Sequence, residues 1–275
     1  MLSNESIICV ENAAFAYGER TIFENIDLHV GQSEMWCLMG HNGCGKSTLL
    51  DCILGINRLH NGEILIDGKA VSTYRPATLA KKISYVPQVH DRYFPYKVWQ
   101  VVLMGRTAHI GGFGSPGKED HEIARQMMQE IGILHLADRP YTQISGGEMK
   151  MAMLARALVQ DTPVIIMDEP TAHLDSYNEL LFLETSVDLV KKQGKTIIMA
   201  THAPNHAFYL ENQGIPVQVA AMSDNTIFAR GLPSEVFTEE NLRAIYQIEG
   251  KIVQDAVTDT DVIRQMIPLK TLKEN

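Results

Sequence analysis

Residues 40–47, Gly-His-Asn-Gly-Cys-Gly-Lys-Ser, have the types and spacing needed to bind a phosphate. They match G-x-x-x-x-G-K-[ST], in which backbone N–H groups curve around phosphate oxygens at the N-terminus of a helix. Lys46 could reach the β- and γ-phosphates of a nucleoside triphosphate, and the Ser47 hydroxyl could bind Mg²⁺. The alternative is a glycine turn that carries Lys-Ser by chance. The predicted nucleotide contacts in this phosphate loop are Gly40, His41, Asn42, Gly43, Cys44, Gly45, Lys46, Ser47 and Thr48.

Two acids, Asp168 and Glu169, follow the apolar residues 164–167, as they would at the end of a buried strand. An acid at the carboxyl end of a core strand beside a phosphate loop could hold Mg²⁺ directly or through water. Because side chains alternate along a strand, Glu169 points the other way and could polarise an attacking water as general base. Taken alone, the pair could also be an Asp-Glu-Pro turn.

Residues 144–148, Ile-Ser-Gly-Gly-Glu, lie upstream of this strand at the start of a predicted helix. The Ser145 hydroxyl and the amides of Gly146 and Gly147 would form a donor-rich, positively polarised surface that favours an anion. In isolation the turn could be only a helix start. Together with the phosphate loop and the acid-ended strand, it indicates a second phosphate-binding surface.

His202 follows a further apolar run, residues 196–200, which predicts another buried strand. A neutral imidazole donates one hydrogen bond and accepts another, which suits a group that senses phosphate. Two alternatives stay open at this point. One is a hydrogen-bonded core histidine, and the other is a metal pair formed with His206.

The composition limits the classes of function. The chain has 275 residues, 45% hydrophobic and 21% charged, which is typical of a globular protein with one large domain or two lobes. A net charge of −9 argues against nucleic acid as a partner, because binding its backbone usually calls for a basic face. The sequence has no secretory signal, no apolar run near the roughly 18 residues of a membrane span, and no C-x-x-C spacing, so we expect a cytoplasmic protein.

The patterns alternate between strands and helices. A capping-box pattern, Ser176 with Glu179, starts a long helix that ends near residue 194, and residues beyond 246 predict no element. Strands are predicted at 6–10, 26–30, 35–39, 63–66, 83–86, 164–167 and 196–200, and other helices at 47–54, 149–158 and 239–246. The sequence predicts an α/β core (1–88 and 162–235), a helical subdomain (89–161), and a C-terminal helix with a tail (236–275).

In this order, the motifs resemble those of the ATP-binding subunits of ABC transporters, over nearly all of residues 5–250. The resemblance implies an α/β fold: a P-loop NTPase (RecA-like) core with an antiparallel β-subdomain and an inserted α-helical subdomain. It implies ATP and Mg²⁺ as cofactors. The glutamine loop of the family falls on Gln88, its signature on 145–148, its D-loop on 172–175 and its switch histidine on His202.

The resemblance also implies a role for each matched residue. Tyr17 would stack on adenine, although it could also be a surface or β-edge tyrosine. Gln88 would meet Mg²⁺ or the lytic water, and His202 would contact the γ-phosphate. The implied catalytic residues are Lys46, Gln88, Glu169 and His202. The implied metal ligands are Ser47, Gln88 and Asp168. The implied nucleotide contacts outside the phosphate loop are Tyr17, Ser145, Gly146, Gly147, Glu148 and Asp175.

The partners are likewise implied by the resemblance. In the ATP-bound state the family forms a head-to-tail homodimer in which Asp175 would reach across to the other subunit. Segments 103–113 and 137–141 resemble importers of iron–siderophore complexes, haem, cobalamin or oxyanions such as molybdate. Such a subunit lies on the cytoplasmic face of the membrane, serves two permease copies and, indirectly, an extracytoplasmic solute-binding protein. The permease would dock near Gln88 and residues 89–115, where the aromatic residues are Tyr93, Phe94, Tyr96 and Trp99.

Several residues depart from the family pattern, and rival functions remain. Glu148 replaces the commoner Gln, while Met149 and Met151 stand where the family often has Arg. The main rival is a non-transport ABC ATPase in translation, DNA repair or iron–sulfur assembly, which the single ATPase unit and the lack of a coiled-coil insertion disfavour. A P-loop kinase or GTPase would leave residues 145–148 without a role. A catalytically silent subunit is disfavoured by the presence of Glu169.

Overall fold

The computed structural model describes residues 6–88, 95–110, 114–256 and 262–272. The chain forms two compact units, one made of Met1–Thr73 with Leu189–Asn275 and the other of Tyr74–Asp188. These units are defined only by contacts between residues and do not test the subdomain boundaries predicted from the sequence, which stay a prediction.

The described residues form both strands and α-helices, in mixed order along the chain. The strands are β1 (Ser6–Tyr17), β2 (Arg20–Gly31), β3 (Met35–Met39), β4 (Asn61–Ile66), β5 (Lys69–Ala70), β6 (Ile83–Val86), β7 (Val164–Asp168), β8 (Thr196–Thr201), β9 (Val217–Ser223), β10 (Thr226–Gly231), β11 (Ile248–Ala256) and β12 (Val262–Thr271). The α-helices are α1 (Lys46–Ile53), α2 (Pro76–Leu79), α3 (Val98–Leu103), α4 (Lys118–Glu130), α5 (Gly146–Leu158), α6 (Ser176–Gln193), α7 (Pro204–Asn212), α8 (Pro233–Val236) and α9 (Glu239–Tyr246). None of the helices in these ranges is both long enough and apolar enough to span a bilayer.

Strand β3 lies at the centre of the first unit. All five of its residues are buried, as expected of a strand covered on both faces. It pairs in parallel with β8 on one side and β9 on the other, so that Met39 is opposite both Thr201 and Ala221. β10 pairs antiparallel with β9. The carboxyl end of β3 therefore opens at the same sheet edge as the end of β8.

A second, antiparallel sheet in this unit has the strand order β2-β1-β4-β5. It confirms the predicted β-subdomain, but β1 and β2 are longer than the apolar runs 6–10 and 26–30 indicated. The reason is that both strands are irregular. Asn12 and Asn25 have φ of 46° and 51°, and the register of β1 against β2 shifts between Val10 and Ala13. A bulge interrupts the alternation of side chains without ending the strand.

The C-terminal tail, for which the sequence predicted no element beyond residue 246, forms a hairpin of β11 and β12. Its inner face lies on helices α7 and α9. Asn205 on α7 accepts a hydrogen bond from the Met266 N–H (2.8 Å) and donates one to the Met266 carbonyl (3.4 Å). The hairpin therefore depends on tertiary contacts more than on its own sequence pattern.

The second unit combines the parallel pair β6–β7 with a cluster of helices. Helices α3, α4 and α5 pack on one another, and Arg106 joins them. Its guanidinium donates to the Asp120 carboxylate on α4 (2.9 Å) and to the Val159 carbonyl after α5 (2.9 Å). The Arg106 hydrogen bond is the main reason why the pKa of Asp120 is lowered.

Helix α6 has a different N-cap from the one predicted. The sequence pattern placed a capping box on Ser176 and Glu179, whereas the Asp175 carboxylate accepts the backbone N–H of Asn178 at 2.9 Å. The Asn178 side-chain amide donates to the same carboxylate at 3.0 Å. Asp is a preferred N-cap because its carboxylate satisfies an N–H that has no partner inside the helix. The N-cap and the first helical residue therefore both lie one position earlier than a capping box on Ser176 and Glu179 implies.

We expect Asn205→Ala to loosen the hairpin. The substitution removes both hydrogen bonds to Met266, which should reduce the local free energy of opening by about 1 kcal/mol, or about fivefold in the opening equilibrium. Amide hydrogen exchange over β11 and β12 measures this change directly. Asn212→Ala, at an exposed position of the same helix, is the control and should leave the exchange unchanged. Equal exchange in the two variants would contradict this account of the hairpin.

Candidate functional site

The phosphate loop joins β3 to α1 in the first unit. Three of its glycines have φ values in the left-handed region, at 153° (Gly40), 84° (Gly43) and 102° (Gly45). A side chain at Gly40 would also be blocked, since a Cβ there would lie 2.5 Å from Cys44 Sγ and 2.6 Å from the Met222 carbonyl oxygen. The glycine pattern thus has two causes here, backbone conformation and close packing against β9.

Lys46 occupies the centre of this loop and is buried. Its Nζ donates hydrogen bonds to the carbonyl oxygens of Gly40 (2.9 Å) and His41 (3.1 Å). A buried ammonium is tolerated only with partners of this kind. Lys46 therefore reaches back to the start of the loop, and its charge lies close to the position that a phosphate bound by the loop would occupy.

The N-terminus of α1 is open to an anion. Its N-cap is Gly45, in the left-handed conformation, which has no side chain to cap the first N–H groups. Ser47 is exposed in the first turn. Uncapped N–H groups and the helix dipole together favour a phosphate.

His202 follows β8 directly, and parallel pairing brings it to the edge where the phosphate loop begins. The side chain is exposed, which agrees with a ligand-facing role. His206 is a different kind of residue: it is buried, and its Nδ1 lies 3.2 Å from Thr201 Oγ1. In the described parts of the chain, no group of three or more His, Cys, Asp or Glu side chains is arranged to hold a metal ion.

Tyr17 lies at the end of β1, also in the first unit, with 55% of its surface exposed. Its ring packs edge-on against Phe15, with centroids 4.8 Å apart, and its hydroxyl accepts a hydrogen bond from Asn57 at 3.3 Å. These contacts fix the ring while leaving much of it accessible. An accessible ring of this kind is able to stack on a base, and that role of Tyr17 stays a prediction.

In the second unit, Gln88 and Glu169 meet beyond the ends of the parallel strands β6 and β7. Val86 is opposite Met167 in the register, so both chains leave the pair at the same edge. The Gln88 amide Nε2 donates a hydrogen bond to the Glu169 carboxylate at 3.3 Å. Glu169 has φ of 41°, an uncommon value for a residue with a side chain. Backbone conformations of this kind often accompany functional sites.

Asp168, the last residue of β7, is buried, whereas Glu169 is only half-buried. Strand β7 ends at Asp168 and Glu169 has a left-handed φ, so strand alternation does not relate these two side chains, and the role of each stays a prediction. Hard oxygen donors such as this carboxylate, the Ser47 hydroxyl and the Gln88 amide oxygen are the ligand types that Mg²⁺ prefers. The donor set fits the predicted cation, and each residue's role as a ligand stays a prediction.

The signature turn, residues 145–148, forms a reciprocal capping box at the start of α5. Ser145 Oγ accepts the Glu148 N–H (3.2 Å), and the Glu148 carboxylate accepts the Ser145 N–H (2.7 Å). The bond from the Ser145 backbone is the largest cause of a lowered pKa for Glu148. Ser145 and Gly146 are exposed, and the serine hydroxyl still has its own proton to donate. Glu148 thus shapes the turn as well as facing any ligand bound there.

Gly147 differs from Gly146 in what surrounds it. A Cβ at Gly147 would lie 2.6 Å from Cγ of Asn178, whereas a Cβ at Gly146 meets no described atom within 4 Å. Asn178 in turn holds the Asp175 carboxylate. The signature turn and the predicted cross-dimer residue Asp175 are therefore packed together within one unit.

The sequence interpretation missed two residues at this surface, Asn178 and Lys150. Lys150 is a buried lysine in α5 whose Nζ donates to the Gln88 carbonyl. Burial lowers the pKa of Lys150, and the carboxylates of Asp168 and Glu169 oppose that effect. A lysine within the apolar run 149–153 was the signal available in the sequence.

Comparison with known proteins gives matches along almost the whole chain. The family model described as "ABC transporter" matches residues 23–172. The iron(3+)-hydroxamate import ATP-binding protein of Bacillus subtilis is 33% identical, covering 97% of each chain. The molybdate import ATP-binding protein of Haemophilus influenzae is 32% identical, covering 96% of this chain and 98% of that protein. A chain from the inward-facing structure of an ABC transporter described as of metal-chelate type superposes with a TM-score of 0.83 at 32% identity, covering 97% of this chain and 98% of that one.

The contrast between the signature glycines predicts different costs for one substitution. Gly147→Ala should displace Asn178 and reduce the free energy of unfolding by about 1–3 kcal/mol, as overpacking does. Gly146→Ala, in open space on the same helix, should stay within about 0.5 kcal/mol of the parent. Chemical denaturation of the two variants checks the difference. Equal stability would show that Asn178 yields without cost.

Proposed function

The chain belongs to the ABC transporter family as an ATP-hydrolysing subunit, and from this we propose that it powers import of a metal chelate or an oxyanion through a separate membrane permease. Full-length similarity to importers of iron(3+)-hydroxamate and of molybdate supports the cargo class. The observation that carries hydrolysis is the hydrogen bond between Gln88 and Glu169, which holds a half-buried carboxylate at the end of a core strand. This is the position from which a general base could act on water.

In the proposed reaction, the amides of residues 40–48 bind the phosphates of ATP, and Lys46 turns from the loop carbonyls to the β- and γ-phosphates. Tyr17 stacks on the adenine. Glu169 accepts a proton from the attacking water, while Gln88 and His202 orient that water and the γ-phosphate.

Magnesium would be held by Ser47, Asp168 and Gln88, as their oxygen chemistry suggests. When bound, the ion supplies positive charge to the phosphate oxygens. The protein's own part is to present the oxygen donors and to keep Asp168 buried at the strand end.

We propose further that the ATP-bound state is a head-to-tail homodimer. Exposed Ser145 and Gly146 form an anion-binding surface at the start of α5. In the dimer this surface, with Gly147 and Glu148, would contact ATP held by the partner's phosphate loop. Asp175, packed beside it through Asn178, would cross to the partner as well.

The proposed permease contact is a groove of about 780 Å³ in the second unit. Its lining is mainly apolar and includes Tyr96, Trp99, Leu103, Met104 and Ile110. A short amphipathic helix from a permease fits such a surface. Tyr93 and Phe94, also predicted for this contact, lie outside the described residues.

This contact would place the chain on the cytoplasmic face of the membrane, with two copies serving two permease subunits. An extracytoplasmic solute-binding protein would deliver the cargo on the other side. The rival is a non-transport ABC ATPase of iron–sulfur assembly, repair or translation. The apolar groove supports the permease, because an amphipathic helix from a partner can lay its apolar face into such a surface.

We expect Glu169→Gln to reduce ATP turnover by about 100-fold or more, because the amide cannot accept the proton from water. The variant should also accumulate as a dimer with ATP and Mg²⁺, seen by size-exclusion chromatography. Glu184→Gln, an exposed acid on α6, is the control and should turn over like the parent. A Glu169→Gln variant with parental turnover would overturn the assignment of the base, and one that stays monomeric would count against the dimer.

Transport is tested with the chain reconstituted with its permease and solute-binding protein in proteoliposomes. ATP-dependent uptake is measured for ferric hydroxamate, haem, cobalamin and molybdate, with Lys46→Ala as the inactive control. We expect uptake of one cargo to require ATP and Lys46. The non-transport ATPase would be favoured if the chain copurifies with soluble proteins and not with a membrane protein, and supports uptake of none of the four cargoes.

A further inference from the structure

Lys150 is a buried charge in the signature helix, with 5% of its surface exposed. Lysine is seldom buried to this extent without a partner that requires it. It lies one helical turn after Gly146, on the same face of α5, because residues four apart share a face. Its neighbours Met149 and Met151 carry no charge, so Lys150 is the cation that this turn of the helix supplies.

The contacts of Lys150 lead out of its own helix. Nζ donates a hydrogen bond to the backbone carbonyl of Gln88. The side chain of the same glutamine donates to the Glu169 carboxylate at 3.3 Å. A chain of two hydrogen bonds therefore connects α5 to Gln88, two residues beyond β6, and to Glu169, the residue after β7, all within one unit.

Electrostatics supports this placement. Burial lowers the pKa of Lys150, and the carboxylates of Asp168 and Glu169 raise it again. The ammonium is therefore close enough to both acids to be stabilised by them. Moving the Gln88 backbone away would leave a buried charge with one partner fewer, which is unfavourable in a low-dielectric setting.

Gln88 lies outside the helices and strands. It is exposed, it lies two residues beyond the end of β6, and its side chain must stay at hydrogen-bond distance from Glu169. A fixed carbonyl restrains the residue's backbone and limits where its amide can point. Lys150 provides that restraint from the helix that starts with the signature turn.

We propose that Lys150 is a positioning residue for ATP hydrolysis, which holds the Gln88 carbonyl so that the Gln88 amide stays against Glu169. The inference rests on the proposed function, since Glu169 must be the base for this positioning to affect the rate. Lys150 contacts no reacting atom in this account, and it acts through Gln88. It also connects the phosphate-facing end of α5 to the carboxylate that activates water.

The first test compares Lys150→Met with the parent chain. Methionine keeps the length and the packing of the side chain but cannot donate to the Gln88 carbonyl. We expect kcat for ATP to fall about 10- to 100-fold. This is the range found when a residue that orients a metal ligand is replaced, and Gln88 is a predicted Mg²⁺ ligand. KM for ATP should change by less than about threefold, because the phosphate loop is untouched. Lys191→Met, at an exposed lysine of α6, is the matched control.

A double-mutant cycle with Gln88→Ala separates positioning from packing. If Lys150 acts through the Gln88 side chain, Lys150→Met in the Gln88→Ala background should change kcat by less than about threefold. If Lys150 only packs, the losses in the two single variants should multiply. Multiplied losses, or a Lys150→Met variant with parental kcat, would overturn the proposal.

Two further controls make every outcome informative. Circular dichroism reports whether Lys150→Met folds, and if it does not, the same cycle is run with Lys150→Leu, which also cannot donate to the Gln88 carbonyl. The parent chain and Glu169→Gln are assayed in parallel. An inactive parent, or a Glu169→Gln variant with parental turnover, contradicts the proposed function. An active parent with an equally active Lys150 variant contradicts only the role of Lys150.

Discussion

Parallel pairing of buried strands is the constraint on which the rest of the structure depends. In the first unit, the register of β3 with β8 places Met39 opposite Thr201, so the phosphate loop and His202 leave the sheet at one edge. In the second unit, Val86 opposite Met167 does the same for Gln88 and Glu169. Antiparallel pairing would send alternate ends to opposite edges, and neither surface could form.

Two buried lysines show how these surfaces use charge. Lys46 is held by carbonyl oxygens of its own loop, which an arriving phosphate can replace. Lys150 is held by the Gln88 carbonyl and by the field of two carboxylates. Both ammonium groups offset the cost of burial with nearby oxygens. The two lysines differ because a phosphate can replace the carbonyl partners of Lys46, whereas the partners of Lys150 stay in place when a nucleotide binds.

Elements with a local sequence signal were predicted with the correct bounds, whereas elements that depend on distant contacts were not. Strands β3 and β6 and helix α9 have the predicted bounds, because continuous apolar runs and helical periodicity are local. Strands β1 and β2 were predicted too short, since a bulge breaks the alternation without breaking the ladder. The hairpin β11–β12 was missed because it packs on helices α7 and α9, and α7 is distant from it in the sequence.

The sequence alone determined the family, the α/β class and the residues that could do chemistry, because glycine spacing, strand-end acids and helix starts are chemical requirements written in short segments. Tertiary structure alone decided which of them meet. It paired Gln88 with Glu169, set Asn178 between Gly147 and Asp175, and gave Lys150 a partner 62 residues away in the chain. The physical reason is that a hydrogen bond or a close contact depends on distances between elements, which no local pattern encodes.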